Sequence, residues 1–245
     1  MKIVINKILR HKPLVRAVHW MTAISTFILI FSGIGQMPMY KRYMLSELPG
    51  LAWTADYQAT LILHYIAATV LVLTAIFHLV YHVSLKEFTI VPKRGDVKES
   101  FLIIKAMFGF GEEPPSGKYL AEQRLAYAYI AFSLFLIIVT GIIKVIKNFA
   151  AFSISEATMI WVTLIHNIGM IMIMLGIFLH LAAFIFKENR ALVPSMFTGY
   201  ISEDYIKHRH NIWYKELEQS NKIIKQNNEE LKQSNEEQAN NNSAM

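Results

Sequence analysis

Residues 157–186 read ATMIWVTLIHNIGMIMIMLGIFLHLAAFIF and contain no Asp, Glu, Lys or Arg. An apolar helix needs about 20 residues to cross the hydrocarbon core of a bilayer, so this stretch is long enough to span a membrane. It holds two histidines, His166 and His180, fourteen positions apart. Fourteen steps of about 100° return to within roughly 40° of the starting direction and rise about 21 Å. Both imidazoles are therefore expected on one face of a helix, near opposite surfaces of the membrane.

Three further charge-free stretches precede it, at residues 17–40, 57–85 and 125–143. The third is the shortest, but Arg124 and Lys144 at its ends can extend their charged groups toward the membrane surface. The four stretches are apolar nearly all round, whereas the helices of a soluble bundle carry a polar stripe. The sequence therefore predicts an all-α integral membrane protein with a four-helix bundle.

The basic residues indicate the orientation of these helices. Five Lys or Arg residues precede the first stretch, and no acidic residue occurs before Glu47. Seven more lie between the second and third stretches, whereas the other two connections carry two each. Cytoplasmic segments are enriched in Lys and Arg, so both termini are expected in the cytoplasm. The first stretch is expected to be retained rather than cleaved as a signal peptide, because its apolar run is too long.

Three more histidines lie at depths that match His166 and His180. His19 opens the first stretch, and His64 and His78 repeat the fourteen-residue interval in the second. Because the chain alternates direction, His64 is expected at the depth of His166, toward the outside. Both His19 and His78 are expected at the depth of His180, so spacing leaves either as its partner. A single histidine near a helix end is commonly interfacial, but five at two matched depths suit two stacked haems, each held by two imidazoles.

The chain contains no cysteine. Covalent c-type haem, thiolate-ligated iron–sulfur clusters and disulfides are therefore excluded. The sequence also shows no nucleophile motif, glycine-rich phosphate loop or catalytic metal constellation. We therefore predict no catalytic residue and no nucleic-acid partner, and we expect electron transfer rather than substrate chemistry.

Short motifs connect the chain to a known family. Gly117-Lys118-Tyr119, followed by Gln123, precedes the third stretch. The histidine motifs are Arg16-Ala17-Val18-His19-Trp20, Leu63-His64, Leu164-Ile165-His166 and Leu179-His180. From about Arg10 to Tyr214 the chain resembles the gamma subunit, a cytochrome b, of membrane-bound formate dehydrogenase. The wider di-haem cytochrome b group also includes the b-type cytochromes of nickel–iron hydrogenases.

The resemblance implies two haem b groups and an assignment of their iron ligands. In the family pattern, His19 and His180 bind the haem on the cytoplasmic side. His64 and His166 bind the haem on the periplasmic side. The resemblance thus favours His19 as the inner ligand. His78 remains the alternative inner ligand, since it fits the pattern of bc-type cytochromes, in which two helices each supply a pair of ligands.

The resemblance also implies a menaquinone site beside the inner haem, in the loop before the third stretch. Its candidate contacts are Tyr119, Glu122, Gln123 and His180. The sequence departs from the family here, with Leu120 where asparagine is usual and Glu122 where glycine is usual. Leu120 has no polar group for a quinone carbonyl. Glu122 is either a proton carrier for the reduced quinone or a solvated loop acid paired with a nearby base.

Three basic residues cluster at the cytoplasmic ends of the first and third stretches: Arg16, Lys118 and Arg124. Because guanidinium groups suit carboxylates, these residues are candidates for binding the haem propionates. Positive charge on the cytoplasmic side explains the same residues without any haem.

These observations together predict a di-haem cytochrome b subunit of a bacterial inner membrane complex. By resemblance, a molybdenum or tungsten alpha subunit oxidises formate in the periplasm. An iron–sulfur beta subunit then passes the electrons to the outer haem, and menaquinone accepts them at the inner haem. One alternative is the cytochrome b subunit of a nickel–iron hydrogenase or another periplasmic oxidoreductase. A second is a haem-free transporter or membrane anchor, although the sequence shows no inverted repeat or Gly/Pro-interrupted helix pair.

The segments outside the helices complete the predicted organisation. Residues 1–16 form a basic cytoplasmic N-terminus, residues 17–186 the di-haem domain, and residues 187–245 a cytoplasmic C-terminal extension. Residues 99–111 are expected to form a helix that lies on the lipid head groups of the inner leaflet.

The extension becomes polar from about residue 214. Leu217, Ile224 and Leu231 lie seven positions apart, but three heptad positions do not establish a coiled coil. A partly helical, otherwise disordered tail is the expectation. The remaining histidines of the basic segments, His11, His208 and His210, are expected to meet solvent, lipid head groups or a partner.

Overall fold

The computed structural model describes residues 7–149, 152–223, 226 and 229. The two strands of this part are β1 (Lys7–Leu9) and β2 (Tyr200–Ser202). The helices are α1 (Pro13–Gly35), α2 (Pro38–Arg42), α3 (Tyr57–Leu85), α4 (Asp96–Met107), α5 (Ala121–Ile146), α6 (Glu156–Ala182), α7 (Lys187–Arg190), α8 (Val193–Thr198) and α9 (Glu203–Arg209). Short 3-10 turns cover Leu45–Glu47, Ala52–Ala55 and Ala183–Ile185, and residues 211–223 are helical.

Four of these helices, α1, α3, α5 and α6, are long and apolar enough to cross a membrane. The predicted set of four membrane-spanning helices is confirmed in this respect. Asp56 caps α3 by accepting hydrogen bonds from N–H groups of the first turn, and Ser155 caps α6 in the same way. α1 ends at Gly35, before the end of its charge-free stretch at residue 40. The helix ends there because Pro38 has no N–H group to continue the helical hydrogen bonds and restricts the backbone of Met37.

The long helices pack as two pairs, α1 with α3 and α5 with α6. Glycines allow α5 and α6 to approach closely. A Cβ atom at Gly169 would lie 2.5 Å from Cγ2 of Ile137, and one at Gly176 would lie 2.4 Å from Cδ1 of Ile130. Carbon atoms at these distances overlap, so the close spacing of α5 and α6 requires glycine at these two positions. The histidines discussed below lie where one pair faces the other.

A cap, built from residues 7–12 and 187–223, covers one end of the bundle. β1 pairs antiparallel with β2, so that Ile8 lies opposite Ile201. This ladder joins the two ends of the described chain into one unit. It adds a short β-element to the predicted all-α fold.

The core of the cap contains Ile201, Ile206 and Trp213, which are all buried. The cap also contacts the beginning of α1, because Nε1 of Trp20 donates a hydrogen bond of 3.1 Å to the carbonyl of Met196. It therefore lies at the end of the bundle where the first helix begins.

The described part of the polar tail belongs to this cap. Leu217, the first of the three heptad positions, packs against the core of the cap. The other two positions, Ile224 and Leu231, lie outside the described residues.

α4 lies between the second and third long helices. It begins three residues earlier than the predicted helix 99–111 and ends four residues earlier. Gly95 (φ +98°) precedes it and Gly109 (φ +84°) follows it, and glycine adopts such positive φ values without strain. On its inner face Ile103 packs against Leu120, and both side chains are fully buried.

A buried ion pair fastens α4 to the start of α5. Nε and Nη2 of Arg124 donate to the two carboxylate oxygens of Asp96, at 2.8 Å and 2.6 Å. The N–H of Lys93 donates to the same carboxylate at 2.7 Å. The hydrogen bonds from Arg124 hold the pKa of Asp96 below its usual range, so the pair is charged at neutral pH.

Candidate functional site

The predicted outer histidines face each other between α3 and α6. The ring centres of His64 and His166 are 6.5 Å apart, and the ring planes make an angle of 59°. Nδ1 of His64 lies 2.9 Å from Oγ of Ser32, and Nδ1 of His166 lies 2.9 Å from Oγ1 of Thr140. Because each hydroxyl engages Nδ1, the opposite nitrogen of each ring, Nε2, is the one left for a metal.

A second pair of histidines faces each other between α1 and α6, at the capped end. The ring centres of His19 and His180 are 6.4 Å apart, with an interplanar angle of 58°. The ring of Trp20 packs edge-on against His19, and the ring of Phe184 packs edge-on against His180. The two pairs therefore have nearly the same geometry at two levels of one bundle.

These distances fit a metal ion held between two imidazoles. A metal–imidazole bond is about 2.0 Å long, and each ring nitrogen lies about 1.1 Å from its ring centre, so two coaxial ligands have centres about 6.2 Å apart. In the described part of the chain, no group of three or more His, Asp or Glu side chains is arranged to hold a metal ion. Two facing histidines suffice for haem, because the macrocycle supplies the remaining ligands of the iron. The donor set therefore fits two bis-histidine haems.

His78, the alternative inner ligand, has different neighbours. Its Nε2 lies 3.1 Å from the hydroxyl of Tyr127 on α5, and its ring centre is 4.4 Å from that of His82. The three side chains line a cavity of about 110 Å³, together with Glu87 and other residues of the loop after α3. His19, not His78, is the side chain that the fold places opposite His180. The geometry thus favours His19, although the ligand assignment stays a prediction.

The three candidate propionate ligands lie in different surroundings. Arg16 donates to the carbonyl of Phe197 in the cap, and its buried Nε has no partner among the described residues. Lys118 is half-buried, with Nζ 5.6 Å from the ring centre of Tyr119. Arg124 is paired with Asp96, as described above. Arg16 and Lys118 therefore keep donors for a carboxylate, whereas two nitrogen atoms of Arg124 are committed to α4.

The candidate quinone contacts lie at the start of α5. Leu120 is fully buried against α4 and is turned into the protein core. Oε1 of Gln123 accepts a hydrogen bond of 3.3 Å from the N–H of Leu120. Oε2 of Glu122 is buried and has no partner within the described ranges. Of these side chains, Glu122 has an unused polar atom, whereas Gln123 serves to cap the helix.

A comparison with known protein families shows the family to which this chain belongs. The family model of the prokaryotic cytochrome b561 matches residues 10–199. The chain belongs to the prokaryotic cytochrome b561 family. The family resemblance drawn from the histidine motifs is thereby confirmed.

Similar proteins include cytochrome b subunits of formate dehydrogenases. The formate dehydrogenase cytochrome b556 subunit of Haemophilus influenzae is 24% identical over 216 residues, which cover 86% of this chain and 84% of the relative. The nitrate-inducible formate dehydrogenase cytochrome b556(Fdn) subunit of Escherichia coli K12 is 26% identical over 219 residues, which cover 87% of this chain and 93% of the relative. The similarity thus extends over most of both chains.

The structure of this cytochrome shows functional residues that sequence reasoning missed. The hydroxyl residues beside the outer histidines belong to two dipeptides, Ser32-Gly33 on α1 and Thr140-Gly141 on α5. A Cβ atom at either glycine would lie 3.5 Å from Cε1 of the neighbouring histidine, so in each dipeptide the hydroxyl residue binds the imidazole and the glycine lies beside it. A Ser-Gly or Thr-Gly pair in the half of a long apolar helix away from the cap is the sequence signal that could have found these sites.

One expectation about the cytochrome's other histidines is wrong. His208 is exposed, as expected, but His210 is fully buried in the cap. Its Nδ1 lies 2.7 Å from the carbonyl oxygen of Gly117, and its Nε2 lies 3.4 Å from Nη1 of Arg10. A basic local sequence suggested solvent exposure, but the partners of His210 come from distant segments of the chain.

Proposed function

We propose that this protein is the di-haem cytochrome b subunit of a formate dehydrogenase-type complex, and that it carries electrons across the membrane to menaquinone. The observation that supports this most directly is the pair of matched histidine sites, with ring centres 6.5 Å and 6.4 Å apart. Membership of the cytochrome b561 family agrees with haem b as the cofactor.

In this proposal His64 and His166 hold the outer haem, and His19 and His180 hold the inner one. Haem iron supplies one-electron chemistry when bound. Fourteen helical positions separate His166 from His180, which corresponds to about 21 Å along the membrane normal. Two centres at that separation divide the membrane into steps that an electron can cross. Moving one charge against 100 mV stores about 2.3 kcal/mol.

Residues around the histidines would also orient the ligands and bind the propionates of the two haems. Ser32 and Thr140 hold the Nδ1 atoms of the outer histidines, which fixes the ring orientation and makes each imidazole a better ligand. Arg16 and Lys118 lie at the capped end and have donors suited to propionates.

The proposed orientation places the cap in the cytoplasm. The basic residues before α1 and between α3 and α5 lie at the capped end, which is the distribution expected for a cytoplasmic face of a bacterial inner membrane. The His64–His166 site is then periplasmic. The names of the similar proteins support assembly with the other subunits of a formate dehydrogenase. We propose that these partners are an iron–sulfur subunit and a molybdenum or tungsten catalytic subunit, with the electrons entering at this outer site.

Menaquinone would accept electrons beside His180, at the loop that leads into α5. Leu120 is turned into the core and Oε1 of Gln123 binds the N–H of Leu120, so of the predicted contacts Tyr119, Glu122 and His180 are the side chains proposed to surround the quinone. The buried, unpartnered Oε2 of Glu122 supports a role in holding a proton for the reduced quinone.

The proposal is tested by counting haems in the detergent-purified protein. A dithionite-reduced minus oxidised spectrum with pyridine haemochrome quantification should give two b haems per chain. The variant His166→Ala should lose the outer haem and keep the inner one, while the control His208→Ala, which changes an exposed histidine, should keep both. Absence of haem in the well-folded wild-type protein, or two haems in His166→Ala, would refute the assignment.

A further inference from the structure

The loop before α5 is bound by the C-terminal half of the cap. Nδ1 of His210 lies 2.7 Å from the carbonyl oxygen of Gly117. The N–H of Ile212 donates to the carbonyl of Ser116 at 3.2 Å, and the N–H of Ser116 donates to Oδ1 of Asn211, also at 3.2 Å. Three consecutive residues after α9 therefore make hydrogen bonds to the loop, from positions more than 90 residues away in the sequence.

Arg10 binds the same loop from the N-terminal side of the cap. Its side chain is buried, with 4% of the residue exposed. Nη2 donates a hydrogen bond of 2.9 Å to the carbonyl of Lys118. The guanidinium carbon lies 5.6 Å from the ring centre of Tyr119 and 5.6 Å from that of Trp213, within the range of cation–π contacts. Arg10 is thus enclosed by two aromatic rings and bound to the loop backbone.

The contact between Arg10 and His210 fixes the protonation state of His210. The carbonyl oxygen of Gly117 can only accept, so Nδ1 must carry hydrogen. Arg10 can only donate, so Nε2, 3.4 Å from Nη1, must accept through its lone pair. The imidazole is therefore neutral. Burial, and secondarily the charge of Arg10, lower the pKa of His210 to about 3, which keeps this state at physiological pH.

We propose that Arg10 and His210 are positioning residues that set the backbone of residues 117–119 for quinone binding at the inner haem. This inference rests on the proposed function, in which Tyr119 and the following turn of α5 contact the quinone. Two adjacent carbonyls of the loop, at positions 117 and 118, receive hydrogen bonds from the two groups. Loss of either donor frees the segment that carries Tyr119, so quinone binding weakens while the haems remain.

The experiment uses the purified full-length holoprotein with its haems reduced by just enough dithionite, so that no free reductant remains to react with the quinone. Menadione, a soluble naphthoquinone, is then added at increasing concentration, and the rate of haem reoxidation gives KM and kcat. His210→Leu removes the donor to residue 117 at similar side-chain size. We expect about a ten-fold rise in KM, the effect of one lost hydrogen bond, with kcat within about two-fold of wild type. Haem content and midpoint potentials should not change.

Two variants separate positioning from general stability. His210→Asn keeps a donor for the carbonyl of Gly117 and should restore most of the affinity. His208→Leu makes the matched change two positions away, on an exposed side chain, and should leave KM unchanged. If His210→Leu loses haem, the variant Arg10→Lys tests the positioning role instead. Lysine keeps the positive charge but has one nitrogen atom in place of the two that contact His210 and the carbonyl of Lys118, so a rise in KM is again expected.

Two different failures are distinguishable. Rapid reoxidation of wild type with an unchanged KM in His210→Leu and in Arg10→Lys overturns the positioning role alone. Failure of menadione to reoxidise reduced wild-type haem overturns quinone reduction as the proposed function, and the positioning role with it.

Discussion

Replacing Thr140 by valine tests whether hydroxyl groups support the outer haem ligands. Oγ1 of Thr140 lies 2.6 Å from the carbonyl of Leu136, so its hydrogen is directed there. The same oxygen lies 2.9 Å from Nδ1 of His166 and must therefore accept from it. Valine keeps the branched shape and removes the acceptor. The variant Thr140→Val leaves a buried N–H group on the ligand imidazole.

The expected magnitude follows from that unpaired N–H group. Leaving a buried donor without an acceptor costs about 1–3 kcal/mol, and losing the hydrogen-bond partner of a metal-bound histidine typically weakens metal affinity by about 10–100-fold. Without the acceptor the imidazole of His166 is a weaker electron donor, so the oxidised iron loses more stabilisation than the reduced iron. A difference of about 1 kcal/mol between the two states raises a one-electron potential by about 40 mV.

A redox titration of the two haems, followed in the visible spectrum, measures this shift. Thr74→Val is the matched control, since the buried hydroxyl of Thr74 donates to the carbonyl of Val70 in its own helix. In Thr140→Val we expect a higher potential and easier loss of the outer haem, with the inner haem unchanged. An unchanged outer haem, or an equal shift of both haems, would refute the proposed support of His166.

Three further predictions concern packing, the ion pair and pH. Gly169→Ala places a methyl group against the branched side chain of Ile137, so it should destabilise the α5–α6 pair by about 1–3 kcal/mol, measured as lower thermal retention of haem. Asp96→Ala removes the carboxylate that binds two nitrogen atoms of buried Arg124 and leaves Glu99, at 3.6 Å, as its acidic partner. It should cost about 3 kcal/mol, measured as faster proteolysis at α4. The pKa of His210 is lowered to about 3, so below pH 6.5 the unfolded chain binds a proton that the folded cap does not. The contribution of His210 to cap stability should therefore fall by about 2 kcal/mol between pH 7 and pH 5. Burial also lowers the pKa of His11 to about 3, which adds a loss of similar size, and hydrogen exchange measures the sum.

Two of these predictions have a control in the same chain. Glu87→Ala removes an exposed ion pair with Lys12 and should have little effect compared with Asp96→Ala. His210→Asn does not titrate in this range and should lose about 2 kcal/mol of the pH dependence. Full haem retention in Gly169→Ala, or an unaltered pH dependence in His210→Asn, would contradict the packing and titration arguments respectively.

The sequence predicted the helices and the depth of the histidines, because both depend on properties that repeat along one segment. Freedom from charge over about 20 residues is a local property, and the fourteen-residue interval sets the height of His166 and His180 directly. The choice between His19 and His78 depends on direction around the helix axis and on the neighbouring helix. The structure turns His78 toward Tyr127, and no spacing within one helix contains that information.

The cap was beyond local reasoning for a related physical reason. Its contacts join residues near position 10, position 117 and position 210, so no window of sequence contains two of the partners. Charge patterning indicated a solvated N-terminus and tail. The structure instead buries Arg10 and His210 together. The two side chains contact each other, and each also binds a backbone carbonyl of the loop before α5. Burial of such residues depends on tertiary partners rather than on composition.

In the proposed function, the fold divides the task of binding the outer haem between two helix pairs. Ser32 of α1 supports His64 of α3, and Thr140 of α5 supports His166 of α6, so each hydroxyl comes from the helix packed against its own histidine. Each helix pair therefore prepares one oriented ligand by itself. The facing distance of 6.5 Å is set only when the two pairs come together. If the proposed haem iron binds both histidines, haem binding and assembly of the bundle must stabilise each other, and the same linkage would hold at the inner site, where His19 of α1 faces His180 of α6.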